Sequence, residues 1–269
     1  MAPQIMDGVA LITGAGSGIG AATAHAFVDE GVTRIILADI NLDGVQAVAK
    51  ELEQGNSSVR ALALKIDTSS ESDVQRMVDE GVKAFGAIHY CVNAAGVTSV
   101  PRGRSHELDV ETWDRVHNIN LRGVWLCARA QIRQMLTQEP DRKIRGGQPA
   151  QRGGIVNISS IMGFVAHPTL GSYSATKAGV LGVTRTDAVA YARDGIRVNA
   201  VCPGFTMTPL VAGSIARGAD YNDSIESVPI GRWGSPDEIA QVIVFLASER
   251  ASLVTAEEVI VDGGHVHRL

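Results

Sequence analysis

An apolar run, a glycine-rich turn and a helical pattern follow one another at the start of the chain, and no other feature constrains the fold as strongly. The run Val9-Ala-Leu-Ile12 is typical of a strand buried on both faces of a parallel sheet. The turn that follows holds Gly14, Gly18 and Gly20. Glycines let a backbone approach phosphate oxygens closely, and a helix N-terminus offers N–H donors. The stretch therefore predicts a phosphate cradle, with a structural bend as the alternative.

Strand and helix patterns then alternate along the chain, which predicts an α/β fold. The patterns place helices at 21–30, 41–54, 70–85, 109–136 and from Tyr173 to about Arg193, and strands at Arg34–Asp39, 59–66, 88–92, 155–158, 196–202 and Glu258–Val261. A helix start is also marked at Ser235-Pro-Asp-Glu238. Such alternation favours a doubly wound parallel sheet of about seven strands in one domain, residues 1–269, with right-handed connections.

The residues after several strands are polar or glycine-rich. Asp39, Asp67 and the segment from Asn93 to Gly96 follow successive strands, and in a parallel sheet these ends share one rim where ligands bind. An acid at the end of the second strand accepts hydrogen bonds from ribose hydroxyls and repels a 2′-phosphate, and neither Ser17 nor Ile40 is basic. The pattern predicts NAD rather than NADP. The alternative for Asp39 is a helix N-cap.

A fifth strand ends at Ser160, and a helix then places Tyr173 and Lys177 four residues apart, on one face. A phenol has a pKa of about 10, so it is a weak base at neutral pH unless a cation stabilises its anion. A lysine one turn away is such a cation. The pair therefore predicts a general acid/base, against the alternative of two exposed side chains.

Composition excludes several classes of function. The net charge of -5 and the pI of about 5.8 argue against a nucleic-acid surface. No apolar run approaches the length of a membrane span and the N-terminus lacks a signal pattern, so we expect a cytoplasmic protein. Cys91, Cys127 and Cys202 lie apart in apolar contexts and predict reduced core residues. His265 and His267 are too few for a metal site, so no metal is expected.

Three segments break the regular pattern. The sequence Asn-Ile-Asn-Leu-Arg-Gly at 118–123 is unfavourable inside the helix 109–136 and indicates a kink or functional site. Residues 137–154 predict a surface insertion whose basic side chains are solvated. Residues 206–230, rich in Gly, Pro and small side chains, predict a mobile substrate lid. His167 lies in the loop before the tyrosine and is either exposed or in contact with substrate.

Together these motifs resemble the short-chain dehydrogenase/reductase family, in its single-domain branch, over nearly the whole chain and in the same order. The motifs are Thr13-Gly14-x3-Gly18-Ile19-Gly20, Asn93-Ala-Ala-Gly96, Asn120, Ser160, Tyr173-x3-Lys177, Asn199, Pro203-Gly204 and Asp262-Gly-Gly264. The resemblance implies a Rossmann-like doubly wound sheet, NAD(H) as the cofactor, a small-molecule alcohol or ketone as the substrate, and a homotetramer.

The resemblance also implies residue roles. Tyr173 would be the general acid/base, Lys177 would bind the nicotinamide ribose and lower the tyrosine pKa, Ser160 would hold the substrate oxygen, and Asn120 would anchor a water that leads protons to solvent. The implied cofactor-binding residues are Gly14, Ser17, Gly18, Ile19, Gly20, Asp39, Ile40, Asp67, Thr68, Asn93, Ala94, Ala95, Gly96, Tyr173, Lys177, Pro203, Gly204, Thr206 and Thr208.

The expected activity is interconversion of a secondary alcohol and a ketone. The apolar residues of 206–230 favour a hydrophobic substrate that is alicyclic or resembles a polyketide or terpenoid. The alternatives are a catalytically silent dinucleotide-binding regulator and an imine or C=C reductase. One departure from the family pattern is Thr255-Ala256, where Thr-Gly is common. It puts the local turn geometry before the last strand in doubt.

Overall fold

A seven-stranded, wholly parallel sheet with the order β3-β2-β1-β4-β5-β6-β7 forms the centre of the computed structural model, which describes residues 6–144, 146–216 and 224–268. The strands are Val9–Thr13 (β1), Arg34–Asp39 (β2), Arg60–Lys65 (β3), Tyr90–Asn93 (β4), Gly153–Ile158 (β5), Ile196–Pro203 (β6) and Glu258–Val261 (β7). The predicted doubly wound α/β fold is confirmed.

Helices cover both faces of this sheet. The helices are Gly18–Asp29 (α1), Leu42–Gly55 (α2), Glu71–Phe85 (α3), Val110–His117 (α4), Val124–Leu136 (α5), Gly171–Tyr191 (α6), Pro209–Ala216 (α7), Ser224–Ser227 (α8), Pro236–Ala247 (α9) and His265–Arg268 (α10). One core packs α1, α2 and α9 on one face, and a second packs α3, α5 and α6 on the other. Every residue of β1, β4, β5 and β6 is buried, which explains why apolar residues predominate in these strands.

Side-chain caps determine where several helices begin. Asn41 accepts a hydrogen bond from the Gly44 N–H, and Ser70 does so from the Asp73 N–H, so α2 and α3 begin within a residue of the predicted positions. Helix α1 begins at Gly18, three residues earlier than predicted, because the last glycines of the turn already belong to the helix.

The predicted helix 109–136 is interrupted. Between α4 and α5 lies a π-helical segment, Asn118–Gly123, in the stretch whose sequence is unfavourable for a regular helix. A π-helical turn has one more residue than an α-helical turn and so redirects the side chains that it carries. The local conflict in the sequence therefore marks a real change of helix geometry.

The prediction that the basic side chains of residues 137–154 are solvated is wrong for Arg142. This side chain is buried, and its guanidinium contacts the carboxylates of Asp7 and Asp141. Two anionic partners compensate the loss of hydration that otherwise keeps arginine at the surface. Strand β5 also begins at Gly153, inside the range expected for the insertion.

The helical content of 206–230 also differs from the irregular segment that was predicted. Residues of this segment form α7 and α8, while its residues 217–223 lie outside the described part of the chain.

The three cysteines are buried and free. Within the described ranges, no helix combines the length and hydrophobicity that crossing a bilayer requires.

The turn before β7 places an alanine in the left-handed region. Ala256 has a φ of +64°, and among the described residues other than glycine it alone has a positive φ. Its position is set by neighbours, because the Ala256 N–H donates to the Val198 carbonyl and the Glu257 N–H donates to the Asn199 side chain. The departure from Thr-Gly thus puts backbone strain at this turn, of about 1–2 kcal/mol.

Ala256→Gly should therefore raise the free energy of unfolding by about 0.5–1 kcal/mol, because relief of the strain exceeds the extra entropy of glycine in the unfolded chain. Urea denaturation followed by circular dichroism measures the change. Ala87→Gly, also in a loop but without a positive φ, should lower the same quantity by about 0.4–1 kcal/mol. Equal destabilisation by both substitutions would contradict the strain at Ala256.

Candidate active site

Two adjoining cavities open at the carboxyl edge of the sheet. The first, which we call the glycine cleft, has a volume of about 390 Å³ and is lined by the turn after β1 together with Asp39 and Asp67. The second, the tyrosine cavity, has a volume of about 600 Å³ and is lined by Ser160, Tyr173 and Lys177 among others. The cavities share walls, so one elongated ligand or two ligands in contact can occupy both.

The glycine turn, from which a phosphate cradle was predicted, lines the glycine cleft. Gly14 and Gly18 have φ values of +68° and +53°, and a Cβ at Gly20 would lie 2.1 Å from the Gly14 carbonyl oxygen. At the N-terminus of α1, the Ser17 side chain makes no capping bond, and the first turn contains no acid. Backbone N–H groups and the positive end of the helix dipole therefore remain for an anion. A dinucleotide pyrophosphate fits this chemistry.

Asp39 is held at the end of β2. Its Oδ2 accepts from the Gly16 N–H and its Oδ1 from the Asn41 N–H, each at 2.9 Å. Each carboxylate oxygen keeps a further lone pair for a ligand hydroxyl. None of the described residues that line the glycine cleft is Lys or Arg. The described lining of the cleft thus suits a ribose diol and holds no cation for a 2′-phosphate.

The tyrosine cavity brings together the residues at the end of β5 and the start of α6. The Ser160 hydroxyl accepts from the Met162 N–H at 3.2 Å. The neighbouring Ser159 is buried and donates to the Lys177 carbonyl, so it fastens α6 to β5. The Lys177 ammonium lies 5.6 Å from the centre of the Tyr173 ring. The expected proximity of Tyr173 and Lys177 is present in the structure.

Lys177 is only 5% exposed, and its Nζ donates to the Ile158 carbonyl at 2.8 Å. Burial disfavours the charged form and lowers the pKa of Lys177 to about 8. A carbonyl dipole compensates only part of the lost hydration. The ammonium is therefore close to its titration point at neutral pH, and it can exchange a proton more readily than a surface lysine.

Asn120 lies in the π-helical segment and lines neither cavity. Its side chain accepts from the Val97 N–H and donates to the Val97 carbonyl, both at 2.8 Å. A Cβ at Gly96 would lie 3.3 Å from Asn120 Oδ1 and 3.7 Å from Lys177 Nζ. Asn120 thus fixes the loop that forms the shared wall of the cavities, and a larger residue at position 96 would press on its amide oxygen.

Asn93 differs from the other predicted cofactor residues because its side chain points into the core. Its amide nitrogen donates to Gln131 at 3.1 Å and to Asn157 at 2.9 Å, and Asn157 donates to Thr184. This buried network ties β4 and β5 to the helices α5 and α6 below the site. The sequence signal for it was an asparagine within the apolar run of β5.

The structure distributes the remaining predicted residues over the two cavities. The glycine cleft is lined by Gly14, Ser17, Gly18, Ile19, Gly20, Asp39, Ile40, Asp67, Thr68, Ala94, Ala95, Gly96 and Thr208, and the tyrosine cavity by Ser160, Tyr173, Lys177, Pro203, Gly204 and Thr206. His167 also lines the tyrosine cavity. Sequence reasoning did not assign Arg102, Phe205 or His265 to the site, although all three line this cavity. Arg102 lies in a loop without periodic pattern, so no local signal marked it.

The described residues contain no group of three or more His, Cys, Asp or Glu side chains placed to hold a metal ion. The tyrosine cavity brings together the hydroxyl of Ser160, the phenol of Tyr173 and the amine of Lys177.

Comparison with known proteins places this arrangement in a family. Residues 14–266 match a family model described as "Enoyl-(Acyl carrier protein) reductase". The chain is 41% identical to cis-4-hydroxycyclohexanecarboxylate dehydrogenase of Sinomonas cyclohexanicum over 98% of this chain and 99% of the relative. It is 37% identical to cyclohexanol dehydrogenase of Acinetobacter sp. (strain SE19), over 100% of this chain and 98% of the relative.

A solved structure shows the same likeness. The fold matches a 3-ketoacyl-(acyl-carrier-protein) reductase from Brucella melitensis, solved in complex with NADH, with a TM-score of 0.83. The two sequences are 33% identical, and the match covers 96% of this chain and 98% of that chain. Sequence and fold comparisons therefore agree over almost the full length.

In the chain without added ligand, Lys177 should lose its proton near pH 8, well below the pKa of about 10.4 of a solvated lysine. NMR titration of lysine side chains labelled with ¹³C measures this, and Lys177→Met identifies the resonance by its absence. The unfolded chain binds more protons above pH 8, so wild type should gain stability relative to Lys177→Met as the pH rises from about 8 to 10.4. A titration near pH 10 would refute the effect of burial.

Proposed function

We propose the function of this chain from the premise that it belongs to the short-chain dehydrogenase/reductase family, and is an oxidoreductase of the alcohol and ketone type. The proposal is an NAD(H)-dependent enzyme that interconverts a secondary alcohol and a ketone on an alicyclic ring. The observation that carries it is the meeting of Ser160, Tyr173 and Lys177 in a cavity that adjoins the glycine cleft.

In this proposal, the glycine cleft and the shared wall hold the cofactor. The N-terminus of α1 binds the pyrophosphate, Asp39 accepts the adenosine ribose hydroxyls, and Asp67 lies at the adenine end. Pro203, Gly204, Thr206 and Thr208 border the nicotinamide. When bound, the nicotinamide would supply the carbon atom that accepts or returns the hydride.

The protein supplies the proton transfer. In the oxidation direction, the Tyr173 phenolate takes the proton of the substrate hydroxyl, and in reduction the phenol returns it to the ketone oxygen. Ser160 donates a hydrogen bond to that oxygen and so orients it. The Lys177 ammonium stabilises negative charge on the phenol oxygen. Asn120 fixes the loop of the shared wall and anchors a water that leads protons to solvent.

An apolar, alicyclic substrate fits the walls of the tyrosine cavity. Much of the lining is aliphatic, from the loops after β5 and from α7, as Ile161, Met162, Val165, Leu170 and Val211 illustrate. Burial of a cyclohexane ring against such a surface is favourable by roughly 25 cal/mol per Å² of apolar area. Two relatives carry names with a hydroxylated cyclohexane ring, which supports this substrate class.

We also propose a lid and an oligomer. Of residues 206–230, Thr208 and Leu210 line both cavities, and Leu210 is an exposed apolar residue that a bound substrate would cover. The expected homotetramer is supported by exposed aromatic side chains on α4 and α5, Trp113 and Trp125.

Tyr173→Phe should lower kcat for oxidation of cyclohexanol by about a thousandfold or more, because the variant keeps the ring but loses the group that exchanges the proton. The dissociation constant of NADH, measured by fluorescence, should change by less than about threefold. Activity like that of wild type would refute the proposed role. Tight NADH binding by wild type without turnover of any alcohol or ketone in a panel would favour the silent regulator.

Asp39→Ala should lower the ratio of kcat/KM with NAD to kcat/KM with NADP by about tenfold or more. The loss of the carboxylate removes both the acceptor for the ribose hydroxyls and the repulsion of a 2′-phosphate. Asp43→Ala, four residues along at the exposed start of α2, is the matched control and should leave the ratio unchanged. A wild type that prefers NADP would contradict the proposal.

An acyl-thioester reductase is the second candidate, because the matched family model and the Brucella relative both have acyl carrier protein reductase in their descriptions. The same tyrosine and serine would serve a ketone on an acyl chain. NADH oxidation with acetoacetyl thioesters and with crotonyl thioesters, compared with cyclohexanone, distinguishes the ketone, C=C and alicyclic reactions.

A further inference from the structure

A buried histidine on the wall of the tyrosine cavity has an unpaired ring nitrogen. His265 lines this cavity and is only 5% exposed. Its Nδ1 is buried and, within the described part of the chain, has no hydrogen-bond partner. A buried polar atom of this kind loses its bonds to water and gains none in return. The cavity that holds Ser160 and Tyr173 thus also carries an unused hydrogen-bonding group.

The backbone on both sides of His265 is fixed by the fold. The Asp262 carboxylate accepts from the Gly264 N–H at 2.8 Å and from the Val266 N–H at 2.7 Å. This turn lies against the turn after β6, because a Cβ at Gly204 would come within 2.6 Å of the Asp262 Cβ. Gly204 itself lines the tyrosine cavity. His265 therefore belongs to a part of the wall with a defined position.

Aromatic stacking holds the plane of the imidazole ring. The ring centres of His265 and Phe205 lie 5.1 Å apart with 28° between the planes, and Phe205 stacks in turn on Trp233. Rotation by half a turn about the Cβ–Cγ bond keeps this plane and exchanges the places of Nδ1 and Cδ2. The torsion concerned is broad and roughly two-fold in histidine. The stacked ring can therefore turn Nδ1 toward a ligand.

His265 follows a different strand from the residues that would hold the reacting oxygen. Ser160 follows β5 and Tyr173 lies at the start of α6, whereas His265 follows β7, and β6 lies between β5 and β7. Neighbouring strands are about 4.8 Å apart, so the ends of β5 and β7 are separated by roughly 10 Å. This separation favours contact of His265 with a part of the substrate other than the reacting oxygen.

We propose that His265 forms a hydrogen bond with a second oxygen of the substrate, on a ring carbon other than the reacting one. The inference rests on the proposed function, since the reacting oxygen must lie against Tyr173 in the same cavity. An imidazole nitrogen is a donor or an acceptor according to its tautomer, so it suits a hydroxyl or a ketone oxygen. The preferred substrates are then diols, hydroxyketones and diones of a ring. A compound with one oxygen leaves the buried nitrogen unpaired, and such sites discriminate strongly against it.

Binding of alcohols in the presence of NADH tests the assignment without turnover, because alcohol and cofactor are both reduced. The isomers of cyclohexane-1,4-diol and cyclohexanol are titrated calorimetrically into the full chain. One isomer of the diol should bind about tenfold or more tightly than cyclohexanol. His265→Phe, which keeps a ring for stacking but has no nitrogen, should remove this preference, and His265→Asn, with an amide near the place of Nδ1, should retain part of it.

The matched control is His267→Phe, an exposed histidine two residues along in α10, which should retain the whole preference. A preference for the diol that His265→Phe does not change would overturn the proposal, and so would its absence in wild type for both isomers. Weaker binding of NADH alone in His265→Phe, with the diol preference intact, would assign the residue to the cofactor and also overturn it.

Turnover separates the failure of this inference from the failure of the proposed function. With NADH, kcat/KM for cyclohexane-1,4-dione relative to cyclohexanone should fall about tenfold or more in His265→Phe, mainly through KM. A diol bound through His265 by a protein that reduces no ketone would refute the function and leave the second-oxygen site standing. Turnover of both ketones with a ratio that His265→Phe does not change would refute that site alone. Circular dichroism confirms that each variant is folded.

Discussion

The reversal of strand order between β1 and β4 is the constraint on which the rest of the site depends. From β1 the chain proceeds outward through β2 and β3, whereas β4 pairs on the opposite side of β1 and leads to β5, β6 and β7. The loops after β1 and β4 therefore diverge, and a crevice opens between them. The contact across its floor is so close that a Cβ at Gly14 would lie 2.8 Å from the Ala95 nitrogen. Glycine at position 14 is therefore required by the close contact between the two loops, whether or not a ligand is bound.

The sequence was sufficient for the features that depend on local pattern. Strands buried on both faces are mostly apolar, and residues at their ends, such as Asp39 and Ser160, must share one rim. It was insufficient where distant residues pair. Arg142 contacts Asp7 across 135 positions, and Asn93 contacts Asn157 across 64. The charge of Arg102 on the cavity wall likewise depends on how a loop packs, which no periodicity records.

The π-helical segment shows how an unfavourable sequence is used in the site. Asn118–Gly123 lies between two regular helices, where π-helical geometry is less stable than α-helical geometry. The hydrogen bonds between the Asn120 side chain and both backbone groups of Val97 offset part of this loss of stability. The same segment packs closely on α6, because a Cβ at Gly179 would lie 2.9 Å from Leu121. The loop of the shared wall and the helix of the tyrosine are thus positioned by one element.

Charge is divided between the two cavities, and the division has a consequence for the proposed chemistry. The glycine cleft has Asp39 and Asp67 on its walls and neither Lys nor Arg among its described lining residues. In the proposed function, backbone N–H groups and the dipole of α1 hold the anionic pyrophosphate, and they need no cationic side chain. The two cations among the described lining residues, Lys177 and Arg102, both lie in the tyrosine cavity. Lys177, 5.6 Å from the centre of the Tyr173 ring, is therefore placed to stabilise negative charge on the proposed general base.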